Sequence, residues 1–338
     1  MCIVLSLGAV RQRGVHRCFE SRVRVRLRSI GGEGMMSDSW LAGKGAVVTG
    51  GSRGIGRAIA EALARAGAGV IVNGRDEGCV DEVVTKILES GGRSQPGVGS
   101  IADFDLAGRL ITQCVSEFGS VDVLVNCAGI AEPPGSSILD LDPEDWRELI
   151  DVHLTGTFNS CRHAVPRMVE QGAGSIINVS SHAYTGRYGG TGYAAGKGGV
   201  NSLTFALAAE LREHSVRANV LCPGARTRLS TGADYEEHIE LLHQRGLLDD
   251  VSRQASLAPP EAYHVGPMAV FLSSDLSADV TGRIFTARGG YVGLHRDVGE
   301  ELLALRDEST GAWPVDELSA QIREKLGLDI DQGVRGDA

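Results

Sequence analysis

A chain of 338 residues, 42% of them hydrophobic, can bury a sizeable core as one large α/β domain or as two ordinary ones. Its seven cysteines (Cys2, Cys18, Cys79, Cys114, Cys127, Cys161 and Cys222) are scattered, odd in number and without a C-x-x-C pair, which argues against a disulfide framework or a zinc site. The formal charge is −10, yet residues 1–34 hold seven arginines against two glutamates, a net of +5 that leaves −15 for the rest, and so acidic a body is a poor surface for nucleic acid. No apolar run reaches the roughly 18 residues of a spanning helix. These observations predict a cytoplasmic protein with reduced thiols, no metal, and no membrane or nucleic-acid partner.

The chain opens on an Arg-rich segment, Met1 to Gly34, without amphipathic periodicity or turn chemistry. It reads as an organellar transit peptide, as a basic tail for an anionic partner, or as translated upstream sequence with Met35 or Met36 the true start. In each case residues 1–38 are expected to be disordered. From Lys44, short apolar runs alternate with helical stretches. GAVVT (45–49), GVIVN (69–73), VDVLVN (121–126), SIINVS (175–180), VRANVLC (216–222) and GRIFTA (282–287) read as buried parallel strands, with a weaker one at 97–101. Helices are predicted over 55–66, 80–89, 106–118, 144–169 and 193–214. Such alternation means an α/β fold, a parallel sheet covered on both faces. Residues 226–260 are polar and broken by Gly232, Gly246 and Pro259-Pro260, which suits an inserted helical lid. Residues 297–338 read as one or two amphipathic helices around Trp313-Pro314, placed to close a site or extend an oligomer interface.

Directly after the first strand comes TGGSRGIG, opening a helix. Gly50 allows a tight turn, Gly54 lets the backbone approach a pyrophosphate, Gly56 permits close helix packing, and the helix N-terminus supplies unpaired N–H groups, so a dinucleotide site is the reading. The second strand ends in Asn73-Gly74-Arg75-Asp76, about 20 residues beyond the glycine loop, where an NAD site places an acid on the ribose 2′-hydroxyl. Gly74 holds that position. Tyr193 and Lys197, in GYAAGKGG, stand four apart on a predicted helix and present a phenol and an ammonium on one face. A neighbouring cation favours phenolate and is expected to bring the phenol toward the working pH range.

The spacing T-G-x-x-x-G-x-G, with N-C-A-G at 126–129 and Y-x-x-x-K at 193–197, resembles the short-chain dehydrogenase/reductase family over roughly residues 40–295. The resemblance implies a Rossmann-type, doubly wound, seven-stranded parallel sheet with helices on both faces, homodimers or homotetramers, and hydride exchange between a nicotinamide cofactor and a small carbonyl or secondary alcohol substrate. The division is then a leader to residue 38, a dinucleotide-binding catalytic domain over 39–296 with its lid at 226–260, and a C-terminal helical extension over 297–338. It also implies a cofactor site of Gly50, Ser52, Arg53, Gly54, Ile55, Gly56, Arg75, Ile101, Asn126, Ala128, Gly129, Tyr193, Lys197, Pro223, Gly224 and Thr227. Arg53 and Arg75 stand where the family places arginines for a 2′-phosphate, so NADP(H) is preferred and NAD(H) admitted; the competing reading makes Asp76 the ribose acid or both arginines merely solvated. Where the family often has an aspartate near the adenine, this chain has Ser100-Ile101, and Asp103 either substitutes or caps the next helix.

Carried onto this chain, the family's catalytic serine, tyrosine and lysine are Ser181, Tyr193 and Lys197. Strand register selects Ser181, whereas the commonest serine-to-tyrosine spacing selects Ser180; side chains alternate along a strand, so only one faces the site. The family's asparagine in N-L-x-G is here His153, in VHLTGTF, placed either to relay a proton from Lys197 or to sit as a satisfied core histidine. His182, Tyr184 and Tyr188 line the pocket or pack. V-H-L-x-G-x-F, the ending GRIFTARGGYVGLHR and the tail also resemble, more weakly, the dehydrogenase part of peroxisomal-type multifunctional β-oxidation enzymes and their bacterial relatives, which implies a bulky 3-oxo/3-hydroxy acyl or alicyclic substrate. That group favours NAD and an acid after the second strand, where this chain has Gly74-Arg75. The competing function is a nucleotide-sensing or scaffold protein that keeps the fold without useful catalysis.

Overall fold

The computed structural model describes residues 39–327 apart from 134, 135, 189, 297–299, 308 and 310. The Arg-rich leader and the end of the tail, with the expectations made for them, lie outside these residues. The elements run β1 (Gly45–Thr49), α1 (Gly54–Arg65), β2 (Gly69–Gly74), α2 (Glu77–Glu89), β3 (Arg93–Val98), α3 (Phe104–Phe118), β4 (Val123–Asn126), α4 (Pro143–Ile150), α5 (Gly156–Gln171), β5 (Gly174–Val179), α6 (Gly192–Glu210), β6 (Val216–Pro223), α7 (Ala233–Gln244), α8 (Asp250–Leu257), α9 (Gly266–Ser273), β7 (Ile284–Arg288), β8 (Tyr291–Leu294) and α10 (Val315–Leu326).

The strands form one sheet in the order β3-β2-β1-β4-β5-β6-β7-β8. Successive side chains point to opposite faces, and both faces are covered, which is why the strands read as unbroken apolar runs. Ala46, Val48, Val70, Val72, Val123 and Val125 enter one core with Ile59 and Leu63 of α1 and Leu272 of α9. Val47, Ile71, Leu124 and Ile176 enter the other with Leu110 of α3 and Met168 of α5. Leu124 is fully buried, and its truncation to alanine is expected to cost about 2–5 kcal/mol.

The sheet departs from expectation in two places. The third strand lies at Arg93–Val98 and not at 97–101. It is an edge strand carrying Pro96, which pairs with Val72 in the ladder, and a proline is tolerated there because an edge need not donate on its outer side. The sheet also has eight strands where the resemblance implied seven. The added β8 runs antiparallel to β7, turned by Gly289-Gly290, with Gly289 at φ +53. A two-residue Gly-Gly loop is a hairpin signal, and ARGGYVGL carried it in plain view.

The predicted helix over 144–169 is also interrupted, by a π-helical turn at Asp151–Thr155. Such a widened turn re-aims side chains and often marks a functional site; here it carries His153. The 226–260 stretch contains α7 and α8; Ile239 and Leu242 of α7 and Leu248 between the two helices form a small core with Tyr188, Tyr235 and Leu257. Among the described residues the tail has one α-helix, α10, beginning after Pro314, and none of its side chains is buried. Among the described residues no helix is long and apolar enough to cross a membrane, and no group of three His, Cys, Asp or Glu could hold a metal. Cys79, Cys114, Cys127, Cys161 and Cys222 are free thiols.

Candidate active site

One cleft of about 1480 Å³ runs along the C-terminal ends of the parallel strands. That is larger than the roughly 300–1,000 Å³ that one small ligand needs, and it leaves room for two molecules side by side. The glycine loop forms one end. Gly50 and Gly54 adopt positive φ, +63 and +53. A Cβ on Gly50 would lie 2.6 Å from Ala128 Cα, and one on Gly56 would lie 2.1 Å from the Gly50 carbonyl. The loop and the N-C-A-G turn therefore pack backbone on backbone, tied by Thr49 Oγ1, which accepts from the N–H groups of Cys127 (3.1 Å) and Ala128 (3.3 Å).

The helices around this end differ in their N-termini. Asp76, Asp103 and Asp142 cap α2, α3 and α4 with side-chain carboxylates. Asp103 is thereby the helix cap, accepting from Leu106 N–H at 3.0 Å. Helix α1 has neither a side-chain cap nor an acid in its first turn, so its free N–H groups and its dipole face the cleft. This donor set suits a pyrophosphate.

At the ribose position a Cβ on Gly74 would meet Ser52 Oγ at 2.5 Å and Val80 Cγ2 at 3.0 Å, so no acid fits there without displacing Ser52. Asp76 is occupied: besides capping α2 it accepts from Arg53 Nη2 at 2.8 Å, and these contacts, the Cys79 N–H first, hold its carboxyl below the usual range. Arg75 lies 3.8 Å from Glu148. Both guanidinium groups are exposed, at 43% and 64% of the side chain, and both border the cleft.

The other end of the cleft gathers Ser181, Tyr193, Lys197 and His153. Ser180 turns into the body, where its hydroxyl donates to the Lys197 carbonyl at 3.1 Å. Ser181, at the start of a short 3₁₀ turn, faces the cleft, and its Oγ accepts from Ala183 N–H at 3.2 Å. Lys197 Nζ lies 5.8 Å from the centre of the Tyr193 ring and donates to the Val179 carbonyl at 2.9 Å. His153 meets the Tyr193 ring edge-on at 4.9 Å. Of the proposed cofactor residues, all but Asn126 line the cleft. Asn126 is buried, donating to Asn178 Oδ1 at 2.8 Å; the middle of the sheet uses its amide, so it braces the N-C-A-G turn from behind. His182 and Tyr188 line the cleft, whereas Tyr184 packs against Val220 and Ile284.

The electrostatics reverse one expectation. Burial pushes the Tyr193 phenol up to about 12, opposed by its hydrogen bond with Ser181. Burial also pulls the Lys197 ammonium down to about 8. Both groups leave water without gaining a countercharge, so desolvation outweighs the attraction expected between phenolate and ammonium. His153 falls to about 3 through burial and then the charge of Lys197, against its hydrogen bond with Ile130. It is therefore a neutral imidazole. Its Nε2 is 3.0 Å from the Ile130 carbonyl, and its buried Nδ1 has no hydrogen-bond partner among the described residues.

Sequence reasoning missed Glu132. This half-buried residue lines the cleft, and its carboxylate accepts from the N–H groups of Thr191 (3.0 Å), Gly192 (2.9 Å) and Tyr193 (3.0 Å). It thereby caps α6, the helix that carries Tyr193 and Lys197, from a loop some 60 residues away. A Cβ on Gly190 would lie 2.1 Å from Glu132 Oε2, which accounts for a glycine before the tyrosine. The only trace in the sequence was an acid six residues after Asn126, which nothing in the spacing connected to α6.

The family model for short chain dehydrogenase matches residues 44–236. The chain belongs to the short-chain dehydrogenase family and is an oxidoreductase of that class. It is 36% identical over 248 residues to the cis-4-hydroxycyclohexanecarboxylate dehydrogenase of Sinomonas cyclohexanicum, across 73% of this chain and 95% of that one. It is 33% identical over 308 residues to the hydroxyacyl-CoA dehydrogenase ChsB1 of Mycobacterium tuberculosis, across 86% and 92%. A solved short chain dehydrogenase from Mycobacterium avium superposes with a TM-score of 0.70 at 31% identity, over 85% of this chain and 95% of its own.

Proposed function

We propose that the enzyme uses Ser181, Tyr193 and Lys197 to interconvert a ketone and a secondary alcohol on a bulky 3-oxo/3-hydroxy acyl or alicyclic substrate, with NADP(H) as the preferred cofactor. The observation that carries this reading is the meeting of the three side chains on one wall of a cleft sized for two molecules, with an uncapped helix N-terminus at its far end. Bound nicotinamide supplies or accepts the hydride. The Ser181 hydroxyl donates to the substrate oxygen and holds it beside Tyr193. In reduction the phenol gives that oxygen its proton; in oxidation the phenolate takes it. Lys197, kept in place by Val179 and the body of α6, stabilises the phenolate with its charge. The unpartnered Nδ1 of His153 holds a water through which the proton is renewed, since a buried acceptor of this kind is ordinarily satisfied by ordered water.

The crowded Gly74 and the exposed Arg53 and Arg75 favour a 2′-phosphate over a free 2′-hydroxyl. The substrate class is supported by the names of the two relatives and by the volume of the cleft. Phe158 on α5 and Phe205 on α6, 47% and 42% exposed, favour assembly into dimers or tetramers. The acidic charge and the free thiols suit the cytoplasm. Fluorescence titration with NADPH and NADH, followed by turnover of cyclic ketones and 3-oxoacyl thioesters, tests the reading. Absence of turnover by a protein that binds NADPH leaves the nucleotide-sensing alternative standing.

A further inference from the structure

Among the described residues five arginines border the cleft; Arg228 is exposed on the 226–260 stretch, and the other four are of two kinds. Arg53, Arg57 and Arg75, at the glycine-loop end, each meet a carboxylate: Asp76 at 2.8 Å, Glu82 at 2.7 Å and Glu148 at 3.8 Å. Arg288, the last residue of β7, is half-buried and lines the same cleft at its other end. Its guanidinium has no hydrogen bond or ion pair among the described residues.

Two contacts hold it in place. Its methylenes press on the turn after β6, where a Cβ on Gly224 would lie 2.6 Å from Arg288 Cδ. Its guanidinium lies 5.9 Å from the centre of the Tyr291 ring across the β7–β8 hairpin. The arginine stands near His182, the residue after Ser181, whose imidazole is made less basic by burial, by His295 and by the charge of Arg288. The neighbours on that wall are neutral and already paired with one another: His182 Nε2 with Thr286 Oγ1 at 3.2 Å, Thr286 with His295 Nε2 at 2.9 Å, and Tyr184 with His295 Nδ1 at 2.9 Å. This wall offers dipoles and no countercharge.

We propose that Arg288 recognises an anionic group of the substrate, so that the enzyme acts on a ketone or secondary alcohol that also bears a carboxylate, with the reacting carbon at Tyr193 and the carboxylate at Arg288. The inference rests on the hydride-transfer reading and adds the substrate's charge to it. A guanidinium offers two parallel N–H donors to the two oxygens of a carboxylate. Such a pair is worth most where water is partly excluded, as between Gly224 and Tyr291. The hairpin then has a use: β8 brings Tyr291 to support the cation from outside the parallel sheet.

The test compares 4-oxocyclohexanecarboxylate with 4-oxocyclohexanecarboxamide, ring ketones of one shape that differ in charge. Wild type is expected to favour the carboxylate by about tenfold or more in kcat/KM, expressed in KM, as for hydrogen bonds to a charged group. Arg288→Met should bring that ratio near one and Arg288→Lys should restore part of it, with the NADPH dissociation constant of both variants at the wild-type value. Calorimetric binding of cyclohexanecarboxylate, which has no carbonyl to reduce, to the NADPH complex measures the anion site without turnover. Binding to wild type and not to Arg288→Met supports the proposal even if neither ketone is turned over, in which case it is the hydride-transfer reading that fails. Equal use of acid and amide by wild type, undiminished binding by Arg288→Met, or a loss of NADPH affinity that marks Arg288 as a cofactor contact would overturn it.

Discussion

Between β1 and Gly129 the cleft is walled by main chain, and between Ser181 and Tyr291 it is walled by side chains. On the first side, Gly50 lies against Ala128, Gly56 against the Gly50 carbonyl and Gly74 against Ser52, so the shape of the wall is set by where a Cβ is forbidden. On the second side Ser181, Tyr193, Lys197, His182, Tyr235 and Arg288 project from the turn after β5 and from α6, α7 and β7. A main-chain wall binds what all dinucleotides share, the phosphates, through N–H groups that no substitution can alter. A side-chain wall is where one family can vary its substrate while keeping its cofactor.

If that division is correct, changes on the two sides should separate rate from cofactor affinity. The largest effect is expected from Tyr193→Phe, which removes the proton and leaves the ring. Its kcat should fall by about 10²–10⁴-fold while NADPH, titrated by fluorescence, binds as to wild type; a variant that turns over normally would remove Tyr193 from the mechanism. On the opposite wall, Gly56→Ala places a methyl 2.1 Å from the Gly50 carbonyl. Strain of about 1–3 kcal/mol should appear as a weaker cofactor complex by roughly tenfold to a hundredfold, with circular dichroism unchanged. Normal affinity would mean that α1 and its loop shift more freely than their packing implies.

Glu132 tests whether the two sides are independent, because it reaches from the N-C-A-G side to the start of α6. Replacing it by alanine strands three N–H groups, and the loss of such a cap is expected to cost about 1–2 kcal/mol of stability, read as a lower Tm. Since Tyr193 supplies one of those N–H groups, kcat should fall by about tenfold with KM nearly unchanged, a misplacement of the proton donor and not of the substrate. Glu132→Gln, isosteric and still able to accept, should recover part of the rate. Wild-type kcat in a destabilised Glu132→Ala protein would reduce the residue to a structural cap.

The same division explains what could be read from the residues alone. Glycines at 50, 54 and 56 announce a tightly packed loop, the proposed phosphate site, because only glycine survives a Cβ clash or a positive φ, and the Tyr193–Lys197 spacing survives because a helix converts four residues into one face. The choice of Ser181 over Ser180 followed from strand alternation; both residues border the cleft, but the Ser180 hydroxyl donates to the Lys197 carbonyl, whereas Ser181 Oγ accepts from Ala183 N–H and keeps its own proton to give. Three features were not legible, for separate reasons. Glu132 acts across 60 residues and through main-chain donors that leave no pattern in its own neighbourhood. The position of β3 was missed because a solvated edge strand holding Pro96 has no apolar run to display. The direction of the Tyr193 shift was missed because spacing reports which charges are neighbours and says nothing of how far both lie from water.

The smallest effect is expected from pH, and it discriminates most finely between the walls. Carbonyl reduction consumes a protonated phenol, and with Tyr193 pushed up to about 12 that proton is present throughout the neutral range. The cation beside it is the group that titrates: Lys197, held down to about 8, is charged below that value and loses its charge above it. Reduction should therefore change by less than about twofold between pH 6 and 7.5 and decline above pH ~8. Alcohol oxidation needs the phenolate and should climb with pH instead. His153 and His182 border this end of the cleft and His295 stands beside His182; His153 lies near 3 and the other two are both lowered by burial first, so none of these three should bend either profile near pH 6.5, the ordinary histidine value. A limb there that vanishes in His153→Asn would mean that the imidazole is solvated and charged in the working enzyme, and the proton path would then run through a histidinium beside Lys197 and not through a water on a neutral Nδ1.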